Sequence, residues 1–307
     1  MAAHDPRGKR ITGSFYTTYV QQHEVSTVEE VPCNLCGSSA RTAIDEEDGF
    51  GILRCRDCGL VYVSPQPTQE ELPKFYESLY DVDDAAETAE IRSLGLIERQ
   101  VAEIVQRLKP EGGRLLDIGC GYGQFLSTMA SDCWDLTGLE LSESAAAHAV
   151  TAVPSATIQQ GDIDSADFPD EHFDCIVLIA VMEHFKDPKA ALARYSKWLK
   201  PGGVVVMVVP YITAFIQAQK FLPASPIRFE APRHLFDFSP KTLPRYLREA
   251  GYTNVKCCIG RPYASPTKFG LALIWLVKLV GYALHALTFG RYVYPFASSI
   301  VVYGEKE

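Results

Sequence analysis

From residue 114 onward, short unbroken apolar runs alternate with helical stripes. The runs are Arg114–Ile118, Leu136–Leu141, Ala156–Gln159, Phe173–Ala180 and Val204–Val209. Continuous Val/Ile/Leu, without in/out alternation, predicts strands buried on both faces of a parallel sheet. The helices between them carry start and stop signals. Asp187-Pro188 supplies an N-cap and a first-turn proline, Leu192, Tyr195 and Leu199 share a face, and Gly202-Gly203 is the expected stop. Ser239-Pro240 opens a further helix that Gly251 closes, with Pro244 expected to kink or delay its first turn. Alternating β and α units predict a doubly wound α/β domain over 111–307.

Upstream the pattern changes three times. Residues 66–110 read as a helical connector: Ile91, Leu94, Ile97, Val101, Ile104, Val105 and Leu108 recur at helical spacing, and Lys109-Pro110-Glu111-Gly112-Gly113 ends the stripe. Residues 31–65 hold two cysteine pairs, and residues 1–30 form a polar extension.

Charge narrows the function. With 29 Lys and Arg against 38 Asp and Glu, the net charge is −9, so the chain lacks the basic field that backbone-driven nucleic-acid binding needs. No nucleic-acid partner is expected. Apolar residues make up 47% of the chain, enough for a packed core. Met1 to Arg10 is polar with no apolar run behind it, unlike a signal peptide, and nine cysteines then suit a reducing, cytoplasmic setting.

Leu115-Leu116-Asp117-Ile118-Gly119-Cys120-Gly121-Tyr122-Gly123 runs from a buried strand through a glycine turn into a helix. Glycines let backbone approach a ligand, and a helix start offers free N–H groups. The dinucleotide pattern G-x-G-x-x-G fails, because its last position is Gln124 or Leu126. Two more carboxylates close the next runs: Glu140, suited to the hydroxyls of a ribose, and Asp162, suited to an adenine amino group.

Together with Phe173–Val177, Met182-Glu183-His184 and Leu199-Lys200-Pro201-Gly202-Gly203, these motifs make residues 111–260 resemble a class I S-adenosylmethionine-dependent methyltransferase. The resemblance implies a Rossmann-like seven-stranded sheet whose last strand is antiparallel, which Ser299–Tyr303 fits. It also implies cofactor contacts from Asp117, Gly119, Cys120, Gly121, Tyr122, Gly123, Glu140, Leu141, Asp162, Ile163 and Ala180.

Cys33-x-x-Cys36-Gly and Cys55-x-x-Cys58-Gly are 18 residues apart, the pattern of two knuckles around one structural Zn²⁺. Followed by Gly59–Pro65, they resemble the zinc module of sugar C-methyltransferases. The remaining cysteines (120, 133, 175, 257 and 258) lack ligand spacing and read as packed thiols.

Two rim insertions, 210–239 and 261–297, follow strands five and six on the cofactor edge and suit substrate lids. The second carries the apolar run 271–287, which Lys278 interrupts. It is expected to be an interfacial helix at the inner face of a membrane, a lid over a lipid-linked acceptor, or ordinary packing. His184 is the first candidate proton acceptor and His234 the second, the alternative being that His184 only orders the rim and His234 bonds to backbone; Tyr76 and Tyr80 are candidate closing residues, with core packing as their alternative. The expected activity is methyl transfer to a sugar or a lipid-linked glycan or isoprenoid. The alternatives are O-methylation of quinone-like phenols, or a non-catalytic scaffold that binds zinc and the cofactor.

Overall fold

The structure is a computed structural model that describes residues 25, 27–71, 95–131, 133–213, 229–261, 279, 283, 287 and 299–307. Helix α1 (Gly95–Leu108) buries Ile97, Val101, Ile104 and Val105, the apolar positions of its stripe. The glycine-rich link after it leads into β6 (Gly113–Ile118), an inner strand of the main sheet.

Around β6 lie β7 (Trp134–Glu140), β8 (Ala156–Gln160), β9 (Phe173–Ile179), β10 (Leu199–Pro210), β12 (Tyr252–Ile259) and β13 (Ser299–Lys306), in the order β12-β13-β10-β9-β6-β7-β8. Strands β8, β7, β6, β9 and β10 are mutually parallel, and β13 runs antiparallel to both β10 and β12. The seven-stranded sheet with an antiparallel last strand is therefore as expected. Val204 to Val209 are all buried, each side chain contributing about 1.5–3 kcal/mol. Strand order reverses between β7 and β9 on either side of β6, so loops after β6 and β9 diverge and leave a crevice at their C-terminal ends.

The helices are α2 (Gln124–Met129), α3 (Glu143–Ala152), α4 (Pro188–Trp198) and α5 (Thr242–Glu249). Asp187 caps α4 by accepting from the Ala190 N–H, but the helix stops at Trp198, ahead of the glycine pair. Leu199 already pairs with Phe173 in β10, and Gly202-Gly203 occupies the irregularity before Val204 resumes the ladder. In α5, Ser239 Oγ accepts from the N–H groups of Lys241 and Thr242. Pro244 falls in the first turn, where its missing N–H costs no helical bond.

A second sheet is built from the cysteine-rich segment. The hairpin β2 (Arg41–Glu47) and β3 (Phe50–Cys55) is joined by β4 (Val61–Ser64), and β4 pairs on its other side with β11 (Phe236–Asp237). That fourth strand comes from the first rim insertion, a pairing the sequence pattern did not supply. A smaller ladder joins β1 (Val28–Glu29) to β5 (Gln66–Pro67).

Cys120 and Cys175 are buried and Cys257 and Cys258 half-buried, but Cys133 is exposed and is not a packed thiol. Tyr76, Tyr80, Lys278 and His285 lie outside the described residues. Within 271–287 only 279, 283 and 287 are described; they are helical, with Leu279 65% and Leu287 76% exposed. Among the described residues no helix is long and apolar enough to cross a membrane.

Candidate active site

The glycine turn sits at the crevice beside β6. Gly119, Gly121 and Gly123 have φ of 71°, 53° and 83°, a region open to glycine at little cost. At Gly119 the space is also closed: a Cβ there would lie 2.5 Å from Val181 Cγ2, so the turn after β6 touches the rim after β9. Gly123 caps α2 with no side-chain hydrogen bond, leaving the helix start to backbone donors.

Glu140 ends β7 and is buried. Its Oε2 accepts from Gly121 N–H at 2.8 Å and its Oε1 from Ser142 N–H at 2.9 Å. The acid therefore ties the end of β7 to the glycine turn. Asp117 is also buried, and its carboxyl is pushed well above the usual range by burial, then by the charges of Glu140 and Glu98.

Glu98 was not anticipated. It lies on α1 at i, i+3, i+4, i+7 spacing with Val101, Ala102 and Val105, and that spacing was the available signal for an inward-facing acid. Burial raises its pKa, and among the described residues its Oε2 has no hydrogen-bond partner.

The other expected cofactor residues lie along the same edge. Tyr122 packs edge-on against His148 at 5.0 Å, Cys120 is buried, Leu141 is exposed and Ile163 is buried. Asp162 is exposed and engaged in a turn: its Oδ1 accepts from Ser165 N–H at 2.6 Å, while its own N–H donates to Ser165 Oγ. Ala180, one residue past β9, has φ of 57°, a strained conformation for a residue with a Cβ. Three left-handed glycines, a buried acid at the end of β7 and a turn opening on a helix start fit a nucleoside cofactor.

The two candidate bases arise 50 residues apart and meet. His184 ends the 3₁₀ turn Met182–His184 after β9, and its ring centroid lies 5.1 Å from that of His234. His184 Nδ1 is 2.9 Å from the Arg233 carbonyl and His234 Nδ1 is 3.0 Å from the Phe229 carbonyl. A carbonyl only accepts, so each Nδ1 carries the proton. Burial lowers the His184 pKa to about 3, assisted by the Arg233 charge, and burial lowers that of His234 well below its usual value, assisted by the charges of His184 and Arg233. Both rings are neutral at pH 7.

Beside them Glu183 is buried, and among the described residues neither of its oxygens has a hydrogen-bond partner in another residue. Burial pushes its carboxyl up to about 8, despite the nearby Arg233 charge. Glu183, His184 and His234 bring one ligand atom each within 4.8 Å of one another, a set able to share a proton or hold a metal ion. The sequence reading had Glu183 only as part of the Met182–His184 motif.

The four sulfurs of Cys33, Cys36, Cys55 and Cys58 cluster within 4.8 Å as well, with Cys33–Cys58 at 3.4 Å and Cys36–Cys55 at 3.5 Å. A tetrahedral zinc with bonds of about 2.3 Å has sulfur–sulfur edges of about 3.8 Å, so the donor set fits that metal. Burial pushes the Cys33 thiol up to about 11; at Cys55 burial is outweighed by the N–H groups of Cys58 and Asp57, which bring it down to about 7. N–H groups turned onto sulfur favour the thiolate, the form a metal binds.

A sheet of this order with a glycine turn at its switch point and an acid closing the adjacent strand defines a Rossmann-like methyltransferase fold. The methyltransferase-domain family matches residues 93–257, and the chain belongs to it. Among curated proteins, the chain is 34% identical over 110 residues to dTDP-3-amino-3,4,6-trideoxy-alpha-D-glucopyranose N,N-dimethyltransferase of Streptomyces venezuelae (35% of this chain, 46% of that one). It is 28% identical over 155 residues to ubiquinone biosynthesis O-methyltransferase of Alkalilimnicola ehrlichii (46% and 60%). The chain thus spans about half the length of these relatives. A solved S-adenosylmethionine-dependent methyltransferase from Thermotoga maritima shares the fold, with a TM-score of 0.50 at 20% identity over 77% of this chain and 98% of that one.

Proposed function

We propose that the chain transfers a methyl group from S-adenosylmethionine to a small-molecule acceptor, a sugar or a lipid-linked glycan or isoprenoid, bound at the rim beside His184 and His234. The observation that carries this reading is the convergence of two neutral imidazoles, 5.1 Å apart, on the edge that bears the glycine turn. When bound, the cofactor supplies an electrophilic methyl on a sulfonium. Glu140 and the turn 119–123 would hold its ribose and backbone-facing atoms, Asp162 and Ile163 its adenine, and Asp117 its cationic end. The protein's own part in the reaction is to orient the acceptor and take its proton. His184 is the first candidate for that proton, and His234, protonated at Nδ1 and so carrying a lone pair on Nε2, is the second.

The four cysteines are read as a closed structural zinc site, without an open position for chemistry. The exposure of Leu279 and Leu287 supports a lipid-borne acceptor at the inner face of the membrane, for a cytoplasmic protein. O-methylation of a quinone-like phenol is the second reading, favoured by Met182-Glu183-His184. The test is transfer of labelled methyl from S-adenosylmethionine into a cell extract split into organic and aqueous pools. Label in the organic pool that vanishes with His184→Ala supports the lipid-borne acceptor; label in the aqueous pool points to a nucleotide sugar. No label in either pool overturns the catalytic reading.

A further inference from the structure

His234 belongs to a segment that the main sheet does not hold by itself. The chain returns to description at Phe229, whose side chain is buried with Phe50, Ile52, Val61 and Val63 of the small sheet. Two residues then fix His234, one at its ring and one at its backbone. The Phe229 carbonyl accepts from His234 Nδ1 at 3.0 Å, and the Glu230 carbonyl accepts from the His234 backbone N–H at 3.1 Å. Glu230 adopts φ of 68°, a conformation a non-glycine residue keeps only when its surroundings impose it.

The group that imposes it is Glu47, 182 residues earlier in the chain. Its Oε2 accepts from Phe229 N–H at 2.8 Å and its Oε1 from Glu230 N–H at 2.9 Å. A carboxylate with both oxygens on successive N–H groups fixes the position and the tilt of the peptide between them. Glu47 is itself fixed: it ends β2 opposite Phe50, at the neck of a two-residue hairpin turn, Asp48-Gly49, whose φ values of 51° and 87° suit that connection. The same sheet grips the segment further on, where Val63 N–H donates to the Leu235 carbonyl and Leu235 N–H donates to the Glu183 carbonyl.

We propose that Glu47 is a positioning residue of the acceptor site, holding Phe229 and Glu230 so that His234 stays in the Nδ1–H form and keeps a lone pair on Nε2, which lies 3.9 Å from Glu230 Oε2. The use of that lone pair rests on the proposed role of His234 as proton acceptor; the clamp itself does not. The cysteine-rich sheet then forms one wall of the acceptor site.

The experiment compares the wild-type chain with Glu47→Gln and Glu47→Asp, each ¹⁵N-labelled at histidine. Gln keeps one acceptor and turns an NH₂ donor onto the second N–H; Asp keeps the charge but is one methylene short of both. In wild type, His234 should show Nδ1 protonated and Nε2 bare, and in both variants a mixture of the two forms. S-adenosylmethionine affinity, measured by calorimetry, should stay within about twofold. With labelled S-adenosylmethionine and cell extract, transfer should fall about tenfold in Glu47→Gln, about as far in His234→Gln, and no further in the double variant. An unchanged His234 tautomer in both Glu47 variants overturns the clamp. Independent, multiplying losses in the double variant overturn its action through His234. A shifted tautomer with undiminished transfer upholds the clamp and overturns the base role of His234.

Discussion

The proposed cofactor edge and the proposed acceptor edge of this sheet are neighbours in space and opposites in construction. On the cofactor edge, Asp117 to Gly123 lie in one stretch of chain, and Glu140 reaches back only 19 residues to Gly121. On the acceptor edge, His184 is held by a carbonyl 49 residues away, and the residues that hold His234 are themselves held by Glu47 from 182 residues away. The first edge is a turn that folds on itself; the second is assembled from three parts of the chain. A perturbation to the small sheet should therefore reach one edge and spare the other.

The largest expected effect tests the local edge. Asp117→Ala and Glu140→Ala should each weaken S-adenosylmethionine binding more than about 100-fold in calorimetry, because a buried acid that orders the turn is lost with any charge it offers the ligand. Undiminished binding by both variants sinks the assignment of this edge.

Next comes the separation of the edges. The zinc proposed for the four cysteines would contribute on the order of 10 kcal/mol to so small a module, so Cys55→Ser or chelation should unfold the small sheet. Methyl transfer should then be lost while S-adenosylmethionine binding persists. Equal loss of both would mean the edges are not independent.

Acidity sharpens the acceptor edge further. The Glu183 carboxyl is raised from about 4.5 to about 8 in the folded chain, so the native state binds the extra proton between those values. Stability should fall as pH rises from about 5 to 8, and Glu183→Gln should flatten that slope in chemical denaturation at successive pH values. His184 has the opposite sign. Its pKa is depressed to about 3, so the stability tied to its neutral form is lost as pH falls from about 6.5 toward 3. For the same reason kcat should show no acid limb near pH 6.5, and a limb there would mean that neither histidine is the base in its observed setting.

The smallest effect concerns Ala180, held at φ of 57°. Ala180→Gly should relieve about 1 kcal/mol of backbone strain and raise the melting temperature by a few degrees.

The same contrast explains what the sequence made legible. The order of buried strands, the antiparallel last strand and the glycine turn are written in consecutive residues, and all could be read. Helix α4 ended early because the stop depended on Leu199 finding Phe173 across the sheet, which outranks the local signal of Gly202-Gly203. Strand β11 is two residues long, too short for any periodicity, and is defined only by its partner. Glu47 reads as one more charge on an exposed hairpin; nothing near it in the chain announces Phe229. Glu98 was readable from its place on the apolar stripe. Residues 214–228 and most of 262–298, within the two insertions expected as lids, lie outside the described residues, as do 72–94 of the helical connector with Tyr76 and Tyr80.

The pairing of β4 with β11 also sets an order of events at the ribosome. Val61–Ser64 emerges about 170 residues before the strand that covers it, a delay of about 10–30 s at typical synthesis rates. Through that interval the cysteine-rich sheet waits with a bare apolar edge, a template for pairing with other nascent chains. A chain halted before Phe236 should accordingly be captured by holdase chaperones and be cut by protease in the hairpin, and release past Asp237 should end both.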